Sequence, residues 1–205
     1  RDAALAELSS FLKENENDLD ELKYMMIWRG LFYSFWLCDK PINQQNFSLK
    51  MAEITLELSS KLALLNLKCF WNTMSMDWPH LDKHRIDKYY LLVRRFVNVT
   101  FQLLKKYEFD NSCIESVFDI YKAVPFNTEA DFKNIGLQYH VIDIYWDELV
   151  KVLPFGENSD DYPLDQLLLP IIELVSHTKN KVVISKTNEM VFDKLINAVE
   201  ENLES

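Results

Sequence analysis

The sequence predicts an all-α fold: antiparallel helix pairs stacked as a HEAT-like helical repeat, with about nine helices in a single domain over residues 1–205. Three observations predict it. Apolar residues recur at helical spacing along most of the chain. Only 3 glycines occur, too few for the tight turns of an all-β fold or for a glycine-rich phosphate loop. Phe32, Asp39 and Pro41 recur as Phe70, Asp77 and Pro79, an offset of 38 residues that is near the HEAT period.

The helices are expected near 2–14, 18–38, 43–60, 62–77, 82–107, 111–123, 136–153, 163–178 and 186–202. Each break carries its own punctuation: Asp39-Lys40-Pro41, Trp78-Pro79, Pro125-Phe126-Asn127, Pro154-Phe155-Gly156 and Asp160-Asp161-Tyr162-Pro163. Lys181 to Lys186, "KVVISK", can form a short strand, although no partner strand is evident. No long linker divides the chain.

The second helix holds the densest pattern, "IWRGLFYSFWLCDKP" from Ile27 to Pro41. Trp28, Leu31, Phe32 and Phe35 form one apolar face. Gly30, Ser34 and Cys38 form a ridge of small residues on another. The helix is apolar nearly all round, which predicts burial between other helices. It also places Gly30 at a close helix crossing, where a leucine would clash. Arg29 and Asp39-Lys40 interrupt the run before it reaches the length of a membrane span.

Composition excludes other classes. At 48% hydrophobic residues the chain can bury a large core and is not disordered throughout. A formal net charge of -10 opposes uniform non-specific binding to nucleic acid, though not a local basic patch. Cys38, Cys69 and Cys113 are widely spaced and odd in number, which fits reduced, buried thiols of a cytosolic or nuclear protein. The opening at Arg1, without methionine, reads as a trimmed amino terminus.

Three ordered blocks then carry a resemblance. "WRGLFYSFWLCDKP", "FWNTMSMDWPHLDKHRIDKYYLLVRRF" (Phe70 to Phe96) and "HVIDIYWDEL" (His140 to Leu149) resemble the signature of the ribosomal RNA processing protein one family. The resemblance extends over most of the chain and is faint after Leu153. It implies an all-helical protein of the nucleus and nucleolus. It further implies a non-catalytic assembly factor of the large ribosomal subunit, needed for processing of the ribosomal RNA precursor. The implied partners are other large-subunit assembly factors and the precursor RNA, with no membrane, cofactor or small-molecule substrate.

Within these blocks, Lys83 to Lys106 is the one basic stretch. Lys83, Arg85, Lys88, Arg94 and Arg95 are the candidates for contact with RNA phosphates or an acidic partner. The competing reading is internal pairing, and for Arg94 and Arg95 the two stand level. Lys105 and Lys106 read as a solvated helix end. Tyr89, Tyr90, Trp71, Trp78 and Trp146 read as core rather than base-stacking platforms. His80 and His84 are four apart, but a helix start falls between them, so a zinc site is not expected. His140, Asp143 and Asp147 share a face that can hold a divalent ion. The preferred reading makes Asp143 and Asp147 structural acids, at least one of them paired with a cation from residues 83–95. No nucleophile–base arrangement is evident, and an enzyme is not expected. A direct RNA-binding protein and a generic helical adaptor remain as rivals to a scaffold.

Overall fold

A computed structural model describes residues 2–129, 134–154 and 162–204. The described residues form helices α1 (Asp2–Glu14), α2 (Glu21–Trp36), α3 (Pro41–Glu57), α4 (Ser60–Asp77), α5 (Ile86–Lys106), α6 (Asn111–Ala123), α7 (Ile135–Val152), α8 (Leu164–His177), α9 (Lys181–Thr187) and α10 (Asp193–Glu204). A single 3-10 turn, Trp78–His80, follows α4, and a π segment, Asn188–Phe192, joins α9 to α10. The expected breaks at Phe155-Gly156 and Asp160-Asp161 lie outside the described residues.

Short polar side chains start four of these helices, α2, α4, α6 and α9, by accepting from otherwise orphaned N–H groups. Asp20 accepts from Lys23 N at 2.8 Å, Ser59 from Leu62 N at 3.3 Å, and Asp110 from Cys113 N at 3.1 Å. Pro41 opens α3, where its missing N–H costs nothing. "KVVISK" is helix, not strand. Asn180 accepts from Val182 N at 2.9 Å and Val183 N at 3.4 Å, so a local cap overrides the β-branched composition. Helix α5 starts at Ile86 rather than Asp82, because Asp82 instead caps a turn, accepting from His84 N at 2.9 Å and Arg85 N at 3.1 Å. The turn after its last residue, Lys106, holds two non-glycine residues in the left-handed region, Glu108 at φ 51° and Phe109 at φ 57°.

The chain divides into two compact units, Arg1–Leu103 and Leu104–Ser205. In the first, α1 runs parallel to α3. Ser9 donates to Glu57 at 2.7 Å and Lys13 pairs with it at 2.8 Å. These two bonds, Lys13's foremost, hold the Glu57 carboxyl below its usual range. Likewise α2 runs parallel to α4: Glu21 pairs with Lys68 at 2.6 Å, and eight residues further along Arg29 meets Asp77 at 3.6 Å. Antiparallel hairpins α1–α2 and α3–α4 therefore stack side by side, the packing of a helical repeat. The element-level repeat seen in sequence is this equivalence of α2 and α4. In the second unit α6 packs on α8, and α7 packs on α9 and the π segment, so the alternation is the same.

The first core is aromatic. Trp28, Phe32, Phe35, Phe70, Trp71, Tyr89 and Phe96 are all buried. Phe70 and Phe96 stack with centroids 3.8 Å apart, and Trp28 meets each of them edge-on at 5.2 Å. Such contacts contribute about 0.5–1.5 kcal/mol apiece beyond burial. The indole N–H of Trp28 donates to Asn66 Oδ1 at 2.8 Å, and Asn66 donates to Thr55 Oγ1 at 2.8 Å, a short polar chain that ties α2, α4 and α3 together inside the core.

Helix α2 is not enclosed. One face, Tyr24, Trp28, Phe32 and Phe35, is buried, while Leu22, Met26, Tyr33 and Leu37 lie exposed on the other. Gly30 sits on that exposed side, and a Cβ built on it meets nothing within 4 Å. The expected close crossing at Gly30 is thus corrected: the neighbouring helices pack on the aromatic face, a third of a turn or more away. Gly30→Ala has room and removes a mid-helix glycine. It is expected to raise unfolding free energy by about 0.5–1 kcal/mol in urea denaturation.

Candidate functional site

The first two signature blocks meet inside the first unit, where the start of α5 closes the end of α2. The last carbonyls of a helix have no intrahelical donor and carry its negative pole. Lys88 supplies both needs. Its Nζ donates to Trp36 O at 2.7 Å and Cys38 O at 2.9 Å, and it lies 5.6 Å from the centre of the Phe35 ring. Gln44 Nε2 fills the second acceptor position on Cys38 O at 2.8 Å. At 6% exposure Lys88 is inside the protein. Burial pushes its ammonium below the ordinary lysine pKa, while nearby Asp39 pulls the other way.

The neighbours of Lys88 continue the closure. Tyr89 O–H donates to Phe32 O at 2.8 Å, and its ring lies 4.6 Å from Phe32 and 5.2 Å from Phe35. Arg85 pairs with Asp82 and lays its guanidinium 4.7 Å from the Trp36 ring centre. Of the five candidate cations, Lys88 and Arg85 therefore serve internal contacts. Lys83 is exposed, and Arg94 and Arg95 are half-buried. The Arg95 Nε is buried without a hydrogen-bond partner among the described residues. The lysines at the end of α5 are exposed, with Lys105 donating to Val152 O at 3.2 Å.

Asp143 and Asp147 belong to the second unit. Asp143 pairs with Lys186 at 2.5 Å and Asp147 with Lys194 at 2.6 Å. The expected cation from residues 83–95 is corrected. The partners come from α9 and α10, whose side chains reach the polar face of α7 within the same unit. Both carboxylates that could have held a metal are engaged by lysines. Among the described residues no group of three His, Cys, Asp or Glu is placed to hold a metal ion.

Two acids escaped the sequence reading. Asp77 is 4% exposed, and its Oδ1 takes Arg29 at 3.6 Å and the Tyr33 hydroxyl at 3.4 Å. Glu148, equally buried, accepts from Lys151 Nζ at 2.6 Å. Both stand inside the signature blocks, which was the available signal. Tyr89, Trp71, Trp78 and Trp146 are buried as expected. All three cysteines are free and buried; burial, with Glu21 nearby, pushes the Cys69 thiol up to about 12.

Lys88→Met keeps the aliphatic stem and removes the donor. Trp36 O then loses its charged partner inside the protein, while Cys38 O keeps Gln44. The variant is expected to lose about 1–3 kcal/mol of stability in urea denaturation, the cost of one unsatisfied buried acceptor.

Comparison with known proteins bears on the same residues. A ribosomal RNA processing protein 1 homolog of Dictyostelium discoideum is 31% identical over 96% of this chain and 42% of its own length. The human homologs B and A are each 28% identical, over 96% and 86% of this chain, and over 26% and 38% of their own lengths. The chain thus spans less than half the length of these relatives. All of residues 1–205 match the family described as nucleolar protein, Nop52, and the chain belongs to that family.

Proposed function

We propose that this chain is the helical part of a non-catalytic nucleolar assembly factor for the large ribosomal subunit, required for processing of precursor ribosomal RNA. It acts as a scaffold that docks other assembly factors and the RNA within the precursor particle. The observation that carries the reading is the family match, which is continuous over both units and includes relatives named for ribosomal RNA processing. On that ground we treat residues 1–205 as one functional domain. A scaffold role is supported by the use of the signature residues: Lys88, Tyr89, Asp77, Asp143 and Asp147 join helices to one another.

The contact with RNA falls on cations that the fold does not consume. Lys83 is the first of these, exposed in the turn before α5; Arg95 is a candidate only through the part of its side chain that is not buried, since its Nε is shut off from solvent. Arg94 is kept in the proposal as their half-buried neighbour. A protein whose main ligand is RNA would need a continuous basic surface, and Lys88 and Arg85 are withdrawn from it.

Lys83→Glu should leave the melting temperature unchanged and reduce co-sedimentation of the full-length protein with large-subunit precursors several-fold. Depletion of the protein should let unprocessed precursor RNA accumulate. Normal RNA processing on depletion would remove the proposed role; undiminished sedimentation of the variant would remove Lys83 from the docking surface.

A further inference from the structure

Helix α10 meets its unit through its polar side. A surface helix ordinarily turns its apolar stripe to the core and its charges to water. On α10 the contact that fixes the rotation of the helix is an ion pair: Lys194 holds Asp147 of α7 at 2.6 Å. At 100° per residue, Ile196 and Val199 lie about 140–160° round the helix from Lys194, on the far side. They are 53% and 40% exposed. No side chain from Asp193 to Glu201 is buried, whereas Val191, just before them in the π segment, is fully enclosed. The chain therefore leaves the core where α10 begins, and shows its apolar side to water.

The charge beside that stripe has one sign. Asp193 and Glu200 stand on one margin of it, about 40–60° from Ile196. Both are exposed, and neither is in an ion pair among the described residues. Helix α10 carries four acids, Asp193, Glu200, Glu201 and Glu204, against Lys194 alone, and Lys194 is spent on Asp147. Lys186 of α9 and Lys151 of α7 are likewise bound to carboxylates, Asp143 and Glu148. Lys181 stands at the opposite end of α9, about 18 Å earlier along the helix axis.

We propose that the outward face of α10 is a docking surface for a basic amphipathic helix of another protein. Ile196 and Val199 supply the apolar seam, and Lys or Arg of the partner answers Asp193 and Glu200. Marginal charges of this kind select the partner more than they add affinity. A second copy of the chain brings no free cation from its own α10, because its Lys194 is bound as well. RNA and an anionic membrane surface meet the acidic margin with like charge. The inference rests on the scaffold reading and adds to it the surface and the partner's chemistry.

The test places a photoreactive amino acid at Asn197 of the full-length protein, exposed beside the acids, so that Ile196 and Val199 stay in place. Living cells are irradiated and the adducts mapped by mass spectrometry. The expected adduct is one segment of another protein, with apolar residues three and four apart and Lys or Arg beside them. Asp193→Lys with Glu200→Lys should leave the melting temperature unchanged and cut the adduct yield by about tenfold or more. Adducts on a second copy, on RNA, on other residues of the same chain or on a segment without cations overturn the proposal. So do the absence of any adduct and an undiminished yield from the charge-reversed variant. Co-sedimentation with precursor particles, scored in the same extracts, tests the scaffold reading by itself: particles without the adduct overturn only the docking surface, and the adduct without particles overturns only that reading.

Discussion

The first unit depends on how the end of α2 is closed. A helix leaves carbonyls without donors at its last turn, and here those of Trp36 and Cys38 are respectively part-buried and buried beside aromatic rings. A lysine from a helix some fifty residues later reaches them. Lys88 meets Trp36 O and Cys38 O at once, and Tyr89 meets Phe32 O one turn earlier. Each bond is modest in net terms, yet an unmet buried carbonyl costs about 1–3 kcal/mol. The contact therefore fixes the register of α5 against α2. Once α5 is set, Phe96 falls on Phe70 and Trp28, and the aromatic core follows.

This arrangement separates two uses of charge on an acidic protein. Where a cation is needed to close a helix, it is buried and its side chain is spent. Where pairing is between neighbouring helices of a stack, as with Asp143 and Lys186 or Asp147 and Lys194, the groups are partly exposed and worth little singly. Such pairs align the helices more than they stabilise them. The cations left over are few, which narrows the surface on which a partner can act.

Helical periodicity and capping made the element order legible, and the aromatic face of α2 was read with Trp28, Phe32 and Phe35 correctly inside. The opposite face was misread because Leu22, Met26, Gly30, Tyr33 and Leu37 look like core to a helical wheel. A wheel gives direction and composition, not the position of neighbouring helices. The helical state of "KVVISK" was hidden for a different reason. Its valines and isoleucine favour a strand locally, and the cap from Asn180 outweighs them. The burial of Lys88 was out of reach, since nothing near it in sequence announces that the carbonyls of Trp36 and Cys38 lie beneath it. The same holds for Asp143 and Asp147: that they would be paired was legible, but the choice of Lys186 and Lys194 depends on which helix packs on α7.

The central claim is that the start of α5 holds the end of α2. Native-state hydrogen exchange of the full-length protein, wild type against Lys88→Met, tests it most directly. Amides from Phe32 to Cys38 should exchange faster in the variant, while those of α3 change far less. Unchanged protection of that segment, together with lost association with precursor particles, would contradict the claim and make Lys88 a contact residue instead of an architectural one.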